Sequence, residues 1–103
     1  MLITTTETIP GKNYQILGVV RGSVVRAKHI GRDIMAGFKS IVGGEIEGYT
    51  ELLNEAREIA TSRMLLDAEP LNADAIICMR YVTSAVMEGS CEVMVYGTAV
   101  KFM

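Results

Sequence analysis

The chain has 103 residues, half of them apolar, with only 6% aromatic residues and a formal net charge of −2. That length suits one domain, residues 1–103, which buries roughly two-thirds of the surface its unfolded chain exposes. The charge balance and the scattered Lys and Arg residues argue against nucleic acid, because phosphate-backbone binding needs several cations converging on one face.

A membrane helix is also excluded by pattern. The longest unbroken apolar run, Ala75 to Met79, is far short of the roughly 20 residues that cross a bilayer. The segment Met1 to Glu7 has neither the basic start nor the apolar stretch of a signal peptide. With two Cys residues and no export signal, the expectation is a cytoplasmic protein with reduced thiols. The apolar content, seven Met included, exceeds what a monomer this small readily hides. Large exposed apolar patches usually mark interaction surfaces, and a second copy always carries a matching one. The chain is therefore expected to be a homo-oligomer.

Leu2 to Ile9 is Thr-rich and β-prone, and it stops at the turn signal Pro10-Gly11. Tyr14 to Lys28 reads as a long strand with apolar residues of both parities, so both of its faces are expected to be covered. Gly18 and Gly22 inside it predict a bulge, bend or close backbone approach. From Ile30 the period changes: Ile30, Ile34, Phe38, Ile41 and Val42 share one helical face, and Gly43-Gly44 reads as a helix cap. A second helix is predicted from about Tyr49. Its inner stripe is Tyr49, Leu52, Leu53, Ala56, Ile59, Ala60 and Arg63, and Pro70 ends it or distorts its last turn. Asn72 can take a left-handed exit conformation. Ala73 to Ala85 and Cys91 to Met103 are strands joined by a turn at Glu88-Gly89-Ser90. The predicted order is β-β-α-α-β-β, an antiparallel α+β domain with two helices.

Several strings in this order resemble a known family. They are Gly18-Val19-Val20-Arg21-Gly22, Arg32-Asp33, Ile41-Val42-Gly43-Gly44, Tyr49 with Ala56-Arg57-Glu58-Ile59-Ala60, Ala73-Asp74-Ala75, and Gly97-Thr98-Ala99-Val100. Together they span the chain and are similar to the YbjQ-like family of small bacterial and archaeal proteins, catalogued under heavy-metal binding. The resemblance implies a dodecin-type subunit assembling as a ring-like homopentamer. Asn72 departs from the Gly that the family typically has there, and Pro70 is unusual in that segment. The resemblance carries no catalytic residue onto this chain.

Gly43 to Thr50 fits the phosphate-loop pattern G-x-x-x-x-G-K-[ST] except that Tyr49 replaces the Lys that faces the phosphates. Glu45 and Glu47 would repel a triphosphate, and the loop is read as following a helix instead of a strand. A connection between helices is the better reading. For a metal, the candidate ligands are His29, Cys78 and Cys91, with Met79, Met87 and Met94 as soft donors for a soft or transition metal ion. The predicted hairpin puts Cys91 opposite Val86 or Met87, more than about 20 Å from Cys78. That separation excludes a disulfide and a two-Cys site within one subunit. Any thiolate site would then be built between subunits, with Cys91, at a strand start, the better ligand. Cys78 reads as a small buried hydrophobe, His29 as a junction residue, and the Met residues as packing.

No nucleophile has an evident base, so an enzyme is the weakest reading. Arg21 or Arg26, on an apolar strand, could be paired across a subunit contact. The leading expectation is a homo-oligomer, pentameric by the resemblance, that binds a small ligand or metal ion. A structural or protein-interaction module is the alternative.

Overall fold

The computed structural model describes residues 1–27, 41–42, 45–87 and 89–103. Its strands are β1 (Leu2–Ile3), β2 (Tyr14–Ala27), β3 (Ile41–Val42), β4 (Glu45–Ile46), β5 (Ala75–Met87) and β6 (Ser90–Phe102). One helix, α1 (Glu47–Ala68), runs into a 3-10 turn at Glu69–Leu71. The main sheet has the order β1-β5-β6-β2, and β3 pairs with β4 in a separate small ladder.

Two features correct the expected fold. The sheet is mixed, because β1 pairs parallel with β5 while β5–β6 and β6–β2 are antiparallel. Among the described residues there is one α-helix, so the main sheet and helix follow β-β-α-β-β and not the two-helix, dodecin-type order. Most of the predicted first helix, with His29, Arg32 and Asp33, lies outside the described residues. Its end does not: Ile41 and Val42 are extended and pair with Ile46 and Glu45. Ile and Val are β-branched, and a Gly-Gly pair signals a hairpin as well as a helix cap. The helical spacing of a few apolar residues was the weaker signal.

The other elements follow their chemistry. α1 buries Ala56, Ala60, Met64 and Ala68, a stripe of every fourth residue, and half-buries Leu53, Ile59 and Leu65. Small residues on that stripe let the helix approach the sheet closely. Gly22 is the matching gap in β2: a Cβ there would sit 2.1 Å from the Ala60 carbonyl oxygen. The helix therefore lies over β2 and β6. Pro70 falls in the 3-10 turn, and Asn72 exits with φ 57° and ψ 40°, left-handed as its side chain permits.

The core on the helix side joins that stripe to Val20, Val24, Ile76, Met79, Val93, Val95 and Ala99. A smaller cluster on the far side holds Ala75, Ile77 and Val100 beneath Ile9, Tyr14 and Phe102. Among the described residues, the far face is covered at that end. Beyond it, Val19 is 73% exposed and Val25 57%. Tyr81 to Met87 of β5 is exposed at every position, on both faces. The radius of gyration is 17.0 Å, against about 13 Å for a compact domain of this length.

Candidate functional site

The N-terminal segment finds its strand partner within its own chain. Leu2 and Ile3 are in register with Ala75 and Ile76. The chain then bends around a bulge in β5. The Thr4 amide donates to the Ile76 carbonyl (2.9 Å), and the Met79 and Cys78 amides donate to the Thr4 and Thr6 carbonyls (3.1 Å each). Arg80 Nη1 donates to the Thr5 carbonyl (3.2 Å) and to that of Met79 (2.8 Å). Three successive carbonyls thus form a strap over the bulge.

Cys78 creates the bulge, with φ 55°. The left-handed conformation is uncommon for a residue with a side chain, and such strain often marks a built feature. The thiol is half-buried against the far-side cluster, and its Sγ lies 3.8 Å from the Thr6 carbonyl oxygen. Cys91 is in register with Ala85, one or two residues from the predicted partner, and with Arg26 on its other side. Both cysteines are free. They are seven residues apart along the hairpin, about 23 Å at 3.3 Å per residue, so the predicted separation holds. Among the described residues, no three His, Cys, Asp or Glu side chains gather where they could hold a metal ion.

Of the soft donors, Met79 is buried in the helix-side core, Met94 is half-buried, and Met87 is exposed near the hairpin tip. The phosphate-loop look-alike contains β4 and the start of α1, and Ile41–Val42 precedes it as a strand. The expected helix–helix connection is thus corrected, while the missing Lys and the two carboxylates still argue against a triphosphate.

The charged groups fall into three settings. Arg26, a candidate for a cross-subunit pair, instead forms an ion pair with Glu55 of α1 within the subunit. Asp74 accepts from the Phe102 amide (2.8 Å) and lies 3.4 Å from Lys101 Nζ. The Phe102 amide, helped by Lys101, holds the Asp74 carboxyl below its ordinary pKa.

The third setting is the far face. Arg21 of β2 and Arg80 of β5 are both in register with Tyr96 of the central strand β6, one on each side. All three are exposed, and the Arg21 guanidinium has no polar partner among the described residues. Sequence reasoning noticed Arg21 but could not see the row, because two bulges set its parity.

The outer edges of the sheet also differ. On β2, Asp67 Oδ2 accepts from the Arg21 amide (3.0 Å) and Arg63 Nη1 donates to the Ser23 carbonyl (2.6 Å). The helix thereby closes the middle of that edge. On β5, β1 and the strap reach only as far as Met79 and Arg80, so the edge from Tyr81 to Met87 meets no strand among the described residues.

Among the described residues, one helix packed along β2 and β6 of a mixed four-stranded sheet, with the β5 arm exposed beside it, defines a small α+β domain. Its architecture matches a crystal structure of a protein of unknown function from Pediococcus pentosaceus placed in the DUF74 family. The TM-score is 0.72 at 21% identity, covering 100% of this chain and 98% of the other, a likeness of fold. A family model described as "Putative heavy-metal-binding" matches residues 1–103. A UPF0145 protein of Colwellia psychrerythraea is 63% identical over 102 residues, covering 98% of this chain and 97% of its own. UPF0145 proteins of Vibrio campbellii and Thermotoga maritima are 58% and 59% identical over nearly full length. The chain belongs to this YbjQ, or UPF0145, family. No helix among the described residues is long and apolar enough to cross a membrane.

Proposed function

We propose that the protein works as a homo-oligomer, a pentamer by the family resemblance, that binds a small ligand or a soft metal ion between subunits. The observation that carries this reading is the overhang of β5. From Tyr81 to Met87 every residue is exposed, and among the described residues the outer edge has no strand beside it. Unpaired strand edges and large exposed apolar faces favour association. A neighbouring copy meets both needs, with about 800 Å² per partner being ordinary for a stable contact.

Support for the metal arm comes from the family's description and from Cys91, half-buried on the hairpin arm. The wide spacing of the two thiols favours a site completed by a neighbour. Light scattering at micromolar concentration is expected to give a mass near five chains, and a monomer would refute the assembly. Metal analysis of protein purified without an affinity tag tests the second half. Stoichiometric metal that is lost in Cys91→Ser and kept in Cys78→Ser is the expected result.

The open β5 edge also favours a second reading, a docking module for another protein. Reproducible capture of one partner by the assembled, metal-free protein, abolished by Val82→Pro, would select it.

A further inference from the structure

We propose that the row of exposed residues Arg21–Tyr96–Arg80 on the far sheet face is a binding site for a small oxyanion, a phosphate or carboxylate group. Cross-strand register partners have Cβ atoms about 4.5–5.5 Å apart. Tyr96 therefore stands between two arginines on one surface. Arginine is the side chain best suited to bind such anions, through paired parallel N–H donors.

The two bulges aim these groups. In β2, Tyr14 and Ile16 pair with Phe102 and Val100 on the far face, but the register then slips between Ile16 and Gly18. Without that slip, alternation would turn Arg21 toward the helix. In β5, Ile77 pairs with Thr98 on the far face, and the register slips again between Ile77 and Arg80. Without it, Arg80 would face the helix. Tyr81, the next residue, instead reaches the helix through a 2.8 Å contact between its hydroxyl and Thr61 Oγ1. Two independent bulges thus reverse the strand parity just before each arginine, and both arginines emerge beside the same tyrosine. Bulges re-aim side chains in this way next to functional sites.

The row is also prepared for an anion. Arg80 is fixed by the Thr5 and Met79 carbonyls, which use only its Nη1. Arg21 is unpaired. Among the described residues, Glu7 follows the strap, its carbonyl accepting from the Tyr14 hydroxyl, and Glu92 lies on this face in register with Val25 and Ser84. It lies four residues from Tyr96 along β6, about 13 Å away. Asp67 meets β2 at its outer edge, where the Arg21 amide occupies it. Val19 and Val82 lie one row to either side and offer apolar surface to the rest of a ligand.

This inference deepens the small-ligand reading by naming the chemical class, and it rests on that reading only in requiring that neighbouring copies leave the row open. Titration of the assembled protein with inorganic phosphate, at constant ionic strength held with chloride, tests it by NMR. The expected result is a saturable shift of the arginine Nε–H and Tyr96 resonances. Arg21→Gln and Arg80→Gln should each weaken it at least tenfold, while Lys101→Gln leaves it unchanged. Absence of saturable binding in the wild type overturns the proposal. Light scattering on the same samples separates it from the assembly reading: if Arg21→Gln lowers the mass in phosphate-free buffer, the arginine pairs with a neighbouring subunit's carboxylate, and the anion site is refuted.

Discussion

Gly22→Ala isolates the contact that seats the helix on the sheet. A Cβ at Gly22 would lie 2.1 Å from the Ala60 oxygen, 2.4 Å from the Met64 nitrogen and 2.9 Å from the Arg63 carbonyl carbon. All three are main-chain atoms, so no side chain can rotate away. The helix would have to retreat by about 1 Å, and a gap of that size forfeits roughly a quarter to a half of each dispersion contact it opens. Ala56, Ala60, Met64 and Ala68 would all lose contact with Val20, Val24 and Val95. Overpacking costs about 1–3 kcal/mol, and backbone against backbone belongs at the upper end. At about 4–8 °C per kcal/mol for a domain near this size, Tm should fall by about 12–24 °C. Thermal unfolding followed by circular dichroism, at fixed protein concentration because the melt of an oligomer depends on it, gives the measurement. Gly18→Ala is the control, since a Cβ there meets nothing within 4 Å and only the backbone, at φ 151°, resists it. A Gly22→Ala protein melting within about 2 °C of the wild type would mean that the helix is not seated as described.

The Asp74 carboxyl has a lowered folded-state pKa, so its stabilising effect is full above the unfolded value near 3.8 and is lost as pH falls through the folded one. Wild type should therefore exceed Asp74→Asn in urea midpoint at neutral pH, with the difference closing below pH 3.8; a constant difference would refute the linkage. At Cys78, glycine relieves roughly 1 kcal/mol of left-handed strain and loses a comparable thiol contact, so Cys78→Gly should stay within about 1 kcal/mol of wild type. Cys78→Val, β-branched in the same conformation, should have the lower denaturation midpoint of the two, and equal midpoints would remove the strain from the account. Thiol titration of the denatured, unreduced protein should find two free thiols per chain, following the free Cys78 and Cys91. Arg63→Ala with Asp67→Ala opens the guarded edge of β2 and should raise aggregation on mild heating, measured by turbidity, before it changes helix content.

The long strands, α1, the left-handed exit at Asn72 and the two roles of glycine in β2 were legible because each rests on local chemistry. Gly18 does sit at a bulge and Gly22 at a close approach. The helix stripe was legible through Ala60, but Met64 and Ala68, which complete it, were not assigned. The end of the predicted first helix misled at Ile41-Val42, because β-branched residues at helical spacing also suit a strand. The parallel pairing of Leu2 with Ala75 could not be read, since nothing local to either residue specifies a partner so distant in the chain. The Arg21–Tyr96–Arg80 row escaped for a related reason. Strand parity predicts which residues share a face only until a bulge resets it, and the second bulge is made by Cys78, a residue that does not advertise a left-handed conformation.

The strand order imposes a timetable on synthesis. Among the described strands, β2 is flanked in the sheet by β6 alone, and Tyr14 pairs with Phe102. β1 must wait for Ala75 and Ile76. At about 5–20 residues per second on the ribosome, the first long strand spends several seconds with no strand beside it. The β5–β6 hairpin, whose contacts are local, can form as soon as it emerges and then offers β6 as the template for β2. Topologies dominated by such distant pairings fold slowly. A chain stalled before Ser90 would hold α1 against Val20 and Val24 but would have no strand to pair with β2.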